Sequence, residues 1–372
     1  LKQAMLQTEI AVVGGGPAGL CAAITAAKLG AEVTIIDDNP QLGGQLIKQT
    51  HKFFGSKSLY CGTRGIDIAQ ILTKELDKLP IKKLLNASVI GYYENNRLAI
   101  YQTDRLLKLK AQKIIFATGA GENTVAFPNN DLPGVYGAGA VQTLMNVYGV
   151  RPGKRALMVG SGNIGLIVSY QMMQAGIDVV AVIEILPKIS GYNVHAAKLA
   201  RLGIPILTSH TIKEAIGKDW VTGAVIVQVD KKFKPIPKTE KRLKVDIISL
   251  AVGLSPTSEL LWQAGCKMVY IPELGGYVAY HNEDMVTSKP DIFVCGDLSG
   301  IEEASTAMLE GEIAGATAFE TLKGFTQDSK QIKEQAKATL AMIRQGQFGE
   351  KAKLGKQKLL AYSATSNLTK TQ

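Results

Sequence analysis

Two sets of glycines in this 372-residue chain have the spacing that lets a backbone approach a phosphate. Gly14, Gly16 and Gly19 follow an apolar run from Glu9 to Val13. They precede a small-residue segment, Leu20 to Leu29, that Gly30 stops. Gly160, Gly162 and Gly165 follow Ala156 to Val159 in the same way and precede a segment that ends at Ala175. In a strand–turn–helix, the first glycine permits the tight turn, the second admits a pyrophosphate, and the third lets helix and strand pack closely. The phosphates then meet the free N–H groups and the positive dipole end of the helix. An acid follows each set at a matching distance. Asp37 lies 23 residues beyond Gly14 and Glu184 lies 24 beyond Gly160, each closing a second apolar run, Val33–Ile36 and Val179–Ile183. A carboxylate there accepts hydrogen bonds from a ribose and repels a 2′-phosphate. Only Lys188 follows Glu184 closely, so a nicotinamide nucleotide at the second site is expected to be NAD(H) rather than NADP(H). The bland alternative is a second unit kept as scaffold with its nucleotide site idle.

The elements that must position these residues are two βαβ units repeated at an interval of 146 residues. Each is followed by short alternating strands. Val89–Tyr93 and Leu98–Gln102 flank the turn at 94–97, and Ala224–Val229 and Leu243–Leu250 flank the Lys- and Pro-rich loop Asp230–Arg242. Pro128, Leu132-Pro133-Gly134 and Leu254-Ser255-Pro256 mark the boundaries. The expected architecture is α/β, with two Rossmann-like dinucleotide-binding domains, each a parallel sheet plus a β-meander. The first, residues 1–127 and 254–325, is split around the second, 128–253, and a basic helical tail, 326–372, follows with a break at 346–349.

Apolar residues at 46% and charged residues at 20% describe an ordinary globular chain. No apolar run is long enough to span a membrane, and no basic-then-apolar leader is present, so a cytoplasmic setting is expected. With Leu1 in first place, the numbering reads as starting inside a processed or cloned product. Cys21, Cys61, Cys266 and Cys295 are far apart, which supports neither a disulfide framework nor a metal site. Of the net charge of +10, residues 324–372 carry +6. Without interleaved aromatics or a known module, this does not indicate nucleic-acid binding. The tail reads equally as a docking surface for an acidic partner or as a solvated Lys-rich helix.

Three further pieces complete an ordered set. Gly43-Gly44-Gln45 follows the first acid, Ile114–Ala120 is a buried strand running into Thr118-Gly119, and Ile292–Val294 leads through Cys295 to Gly296-Asp297. From about residue 8 to 325 the chain resembles the two-dinucleotide-domain flavoprotein superfamily that includes thioredoxin reductase and the pyridine nucleotide-disulfide oxidoreductases. The resemblance implies FAD at the first site, against Gly14, Gly16, Pro17, Ala18, Gly19, Asp37, Asp38, Gly43, Gly44, Gln45, Val89, Thr118, Gly119, Gly296, Asp297 and Ala304. It implies a nicotinamide nucleotide at the second, against Gly160, Gly162, Asn163, Ile164, Gly165 and Glu184. It also implies a helix from Ile301 to Gly315 whose Ala304 and Ser305 N–H groups would favour negative charge on a reduced flavin. Glu302 and Glu303 read as acids of its first turn.

Disulfide reductases of that superfamily need a C-x-x-C pair, and this chain has Gly137-Ala138-Gly139-Ala140 where one would lie and a single Cys61 near the other place. Disulfide reduction is therefore disfavoured; Cys61 reads as a buried hydrophobe or a redox thiol. The run Lys48-Gln-Thr-His-Lys-Phe-Phe54, Leu132-Pro133-Gly134-Val135 and Glu303 to Gly311 look most like the α subunits of multi-subunit amine and amino-acid dehydrogenases, such as sarcosine oxidase, opine oxidase, proline dehydrogenase and hydrogen cyanide synthase. That resemblance implies electron transfer in this chain and amine oxidation in a partner flavoprotein. No cysteine follows Cys295, so an iron–sulfur centre would belong to another subunit. The other readings are a stand-alone, homodimeric NADH-dependent reductase of a carrier protein or quinone, and a flavin domain kept as a structural module. Among the residues expected to border a flavin ring, His51 is the candidate for proton transfer, or a loop histidine.

Overall fold

The apolar runs that end at Val13 and Ile36 become adjacent parallel strands buried on both faces, which is why they read as continuous rather than alternating. The computed structural model describes residues 5–346 and 349–366. Its chain groups into two compact units, one formed by the chain up to Gly121 and from Leu254 onward, the other by Glu122–Gly253.

The first unit opens with β1 (Leu6–Val13), α1 (Pro17–Lys28), β2 (Val33–Ile36), α2 (Gly65–Leu76) and β3 (Ile81–Leu84). The strands β4 (Ala87–Tyr93), β5 (Arg97–Gln102) and β6 (Arg105–Phe116) follow, then the short β7 (Ala120–Glu122). β6 does two jobs. Its first half pairs antiparallel with β5 and its second half parallel with β1, so the meander continues the parallel sheet instead of forming a separate layer.

The second unit contains β8 (Val135–Gly137), α3 (Ala138–Asn146), β9 (Arg155–Val159), α4 (Asn163–Gln174), β10 (Asp178–Glu184), α5 (Asn193–Arg201) and β11 (Ile206–Thr208). Then come β12 (His210–Gly217), β13 (Val221–Gln228), β14 (Lys241–Leu243) and β15 (Ile247–Leu250). Its parallel sheet runs β11-β10-β9-β15-β8, beside the antiparallel β12-β13-β14. The single strand expected at Leu243–Leu250 is two strands in two sheets. Asp246 causes the break: its carboxylate accepts the N–H groups of Lys154 at 2.9 Å and Arg155 at 2.8 Å, tying the crossing to the start of β9.

The chain then returns to the first unit through β16 (Leu254–Pro256), α6 (Glu259–Gln263), β17 (Met268–Ile271), β18 (Gly276–Ala279) and β19 (Ile292–Val294). The last helices are α7 (Ala304–Lys323), α8 (Gln327–Ile343) and α9 (Glu350–Ser366). β19 joins the parallel part of β6. Helix α7 packs on α1 with backbones in contact: a Cβ at Gly311 or Gly315 would run into the carbonyl oxygens of Ala18 and Ala22. This explains why α1 is built of small residues. Helix α8 opens with a capping box between Thr326 and Ser329, and its Ala336 and Leu340 join the core. The break expected at 346–349 falls partly on 347 and 348, which lie outside the described residues, as does the tail from 367.

Candidate functional site

The first glycine loop joins β1 to α1, with Gly16 as N-cap and Pro17 in the first turn. The three glycines have three different surroundings. Gly14 has φ +105°, and a Cβ there would strike Ala117 O; a Cβ on Gly19 would strike Gly14 O. A Cβ on Gly16 would meet nothing nearer than Gly44 Cα at 3.9 Å. The outer glycines are thus required by packing, while the middle one faces open space at a helix N-terminus that no side chain caps. That arrangement fits a bound pyrophosphate.

Several distant segments converge on this loop. Gly43 N donates to Gly15 O at 2.8 Å, and Gly44 packs on Gly16. Ala117 N donates to Val13 O at 2.8 Å, which brings Thr118 against Gly14, and Thr118 Oγ1 donates to Thr257 O at 3.0 Å. Gly119 has φ +71° and open space around its Cα. Gly296 packs on Ala18, a Cβ at Gly296 lying 2.8 Å from Ala18 Cβ. Asp37, buried at the end of β2, accepts from Gly15 N at 2.5 Å and from Asn39 N at 2.8 Å. Asp38 beside it is exposed, as is Gln45. Val89 is placed differently. It pairs with Ile100 and packs on the core, whereas Ala87, two residues earlier, donates its N–H to Asp37 O at 2.9 Å.

The loop 296–303 leads into α7. Glu303 is the N-cap, so Ala304 and Ser305 are the first helical residues, and no side chain caps them. Asp297 Oδ1 accepts from Glu302 N at 3.3 Å, and burial pushes its carboxyl up to about 6. Glu302 and Glu303 precede the first turn, and Glu302 is bound at 2.6 Å by Arg344 of the stretch that follows α8. His51 lies just after a short 3-10 turn at Gly44–Lys48, stacked on Phe53 with ring centroids 6.0 Å apart.

The second glycine loop repeats the arrangement between β9 and α4. A Cβ at Gly160 would strike Ala251 O and one at Gly165 would strike Gly160 O, whereas Gly162 has nothing nearer than Ser190 Oγ at 4.0 Å. Here the acid is more heavily engaged. Glu184 Oε2 accepts from Ser161 N at 3.0 Å, Ser161 Oγ at 2.6 Å and Ser190 Oγ at 3.1 Å, and Oε1 accepts from Leu186 N at 2.9 Å. Burial raises its pKa, but these donors outweigh burial and hold it below the usual carboxylate range. Asn163 Oδ1 accepts Tyr192 N at 2.8 Å, and Ile164 is exposed. Ser161 and Ser190 were not singled out from the sequence; a hydroxyl inside the glycine loop was the available signal.

Where a redox C-x-x-C would stand, the structure has the N-terminus of α3. Gly139 N donates to Glu122 Oε1 at 2.6 Å, and the carboxylate lies over Gly137. The four cysteines are free: Cys61 exposed, Cys21, Cys266 and Cys295 buried. Among the described residues, no group of three or more His, Cys, Asp or Glu is arranged to hold a metal ion, and no helix is long and apolar enough to cross a membrane.

The sequence pattern of pyridine nucleotide-disulphide oxidoreductases matches residues 8–311, which include both loops. The chain belongs to this family. It accordingly has an FAD/NAD(P)-binding fold. It is 28% identical to sarcosine oxidase subunit alpha of Rhizobium meliloti over 73% of this chain and 27% of that protein. It is 27% identical to hydrogen cyanide synthase subunit HcnB of Pseudomonas aeruginosa, over 82% of this chain and 69% of that one. The chain therefore spans about a quarter to a third of the sarcosine oxidase subunits it matches. Among solved structures, L-proline dehydrogenase from P. horikoshii superposes with a TM-score of 0.69 at 23% identity, over 91% of this chain and 60% of that one. Thioredoxin reductase from T. acidophilum gives 0.70 at 21%, over 85% and 99%. At such identities these two structures speak for the fold.

Proposed function

We propose that this family member is an FAD-dependent, NAD(H)-linked oxidoreductase that passes electrons to or from a partner, as the α subunit of an amine or amino-acid dehydrogenase would. The observation that carries the reading is the pair of matching glycine loops, each with an open middle glycine and a buried acid, in a chain without a redox cysteine pair. FAD and NAD(H), when bound, supply hydride transfer between nicotinamide C4 and flavin N5.

The residues of the chain bind and orient. Gly16 and Gly162 leave room for pyrophosphates at the starts of α1 and α4; Asp37 and Glu184 receive ribose hydroxyls. The uncapped start of α7 favours negative charge near Ala304 and Ser305. The relatives named sarcosine oxidase subunit alpha and hydrogen cyanide synthase subunit HcnB support the subunit role, with a partner flavoprotein and an iron–sulfur subunit completing the electron path.

Anaerobic titration of the purified yellow protein with NADH tests the reading. Bleaching of the oxidised flavin band by NADH, weakly by NADPH and not by free amines, is expected. Reduction by a free amine together with no response to NADH would overturn it, and isolation as an active homodimer would remove the heteromeric role.

A further inference from the structure

Residues 324–372 carry most of the excess charge, yet five of their cations are committed within the first unit. Lys333 pairs with Glu320, Lys337 with Asp284, Arg344 with Glu302 and Glu310, Lys356 with Glu310, and Lys358 with Glu273. Lys333, Lys337 and Lys358 make ordinary helix-to-body contacts. Arg344 and Lys356 meet at Glu310, and this cluster reaches the candidate cofactor site.

Glu310 of α7 is buried, and each of its two oxygens faces two donors. Oε2 accepts from Gly296 N at 3.0 Å and Ser299 Oγ at 2.5 Å; Oε1 receives Lys356 Nζ and an Arg344 guanidinium nitrogen, both at 2.8 Å. Lys356 also donates to Ser299 Oγ at 2.7 Å and to Ser299 O at 3.2 Å. Arg344 also grips Glu302, whose N–H holds Asp297. Gly296, at the other end, packs on Ala18 beside the first glycine loop.

From this geometry we infer that the C-terminal helices clamp the Gly296–Ser299 turn against the dinucleotide site, with Glu310 as the positioning residue through which Lys356 and Arg344 act. Stability alone does not call for this construction, because apolar side chains of similar volume stabilise a buried position as well as an ion network does. What the charges add is direction. The carboxylate can satisfy its four donors only when the turn and both helices are in register. The inference rests on the proposed FAD site of the first unit, and Arg344 and Lys356 lie beyond Gly311, where the family match ends.

The whole chain tests it with Lys356→Met, Ser299→Ala, as a control on the same helix Lys358→Met at the exposed pair with Glu273, and Lys356→Arg as the charge-keeping variant. Two quantities are read: amide exchange at Gly296 in the flavin-free protein, and the dissociation constant for FAD. Loss of charge-assisted bonds predicts exchange at Gly296 and the FAD constant both rising about tenfold or more in the first two variants. The control leaves both unchanged at a similar melting temperature, and Lys356→Arg restores both. Unchanged exchange at Gly296 in Lys356→Met and Ser299→Ala overturns the clamp. Faster exchange in a protein that takes up no FAD upholds the clamp and overturns the cofactor reading instead.

Discussion

The hydroxyl of Ser161 donates to Glu184 at 2.6 Å, while the corresponding residue of the first loop, Gly15, offers Asp37 only its N–H at 2.5 Å. The Oε2 of the second acid is therefore filled by the protein itself, whereas Oε1, with Leu186 N on it, keeps a lone pair for a ribose hydroxyl. Glu184→Gln places an amide NH2 where Oε1 or Oε2 now accepts from backbone N–H groups, so it costs both local stability and nucleotide affinity. Binding of NADH is expected to weaken about tenfold and the preference over NADPH to shrink, as read by flavin-reduction titrations with the two nucleotides. An unchanged preference would show that Glu184 does not read the ribose.

The glycines of the first loop separate packing from binding. Gly16→Val points into open space and should leave the melting temperature within a few degrees while abolishing flavin uptake. Gly19→Ala forces a Cβ into Gly14 O and is expected to cost about 1–3 kcal/mol or more, visible as a fall in the denaturant midpoint. A folded, yellow Gly16→Val protein would argue against a pyrophosphate at this position.

Acid should loosen the first unit through His281 and Glu310. Burial, with Lys356 adding to it, pushes His281 from its ordinary 6.5 down to about 3. Its contribution to stability is therefore present above 6.5 and lost as pH falls toward 3. Burial would raise Glu310, but Lys356 and Arg344 hold it down at about 2, so its contribution is present above 4.5 and lost as pH falls through 2. Asp297 opposes them: burial raises it to about 6, so its contribution is present below 3.8 and lost as pH rises through 6. His281→Gln should flatten the melting-temperature profile between pH 6.5 and 3, and a profile as steep as that of the unmodified protein would exclude His281 as its source.

Thiol chemistry should be confined to one residue. Cys61 is exposed; Cys21, Cys266 and Cys295 are buried, with burial pushing each thiol up. One thiol per chain is expected to react quickly with a chromogenic disulfide in the native state and four after unfolding. Cys61→Ser should remove the fast phase and leave reduction by NADH unchanged; loss of that reduction would restore Cys61 as a redox group.

Much of the site was legible in the sequence because its chemistry is local. A glycine loop needs only a strand before it and a helix after it, and those patterns sit within 30 residues of Gly14 and of Gly160. Gly43, Thr118 and Gly296 could be singled out as motifs, but the convergence of the last two on one loop depends on β6 lying beside β1 and β19 beside β6 in the sheet. The split of Leu243–Leu250 was not legible, because the side chain that breaks it, Asp246, is satisfied by backbone 91 and 92 residues away.

The sequence by itself determined the two βαβ units, their acids and the absence of a redox cysteine pair, since each follows from residue type and short spacing. Only the tertiary structure decided where the described cations of the basic tail are placed. Arg344 and Lys356 are, in sequence, two cations among many; their partner Glu310 lies 34 residues from Arg344. A buried charge acquires its role from whichever opposite charge the fold brings within hydrogen-bonding distance.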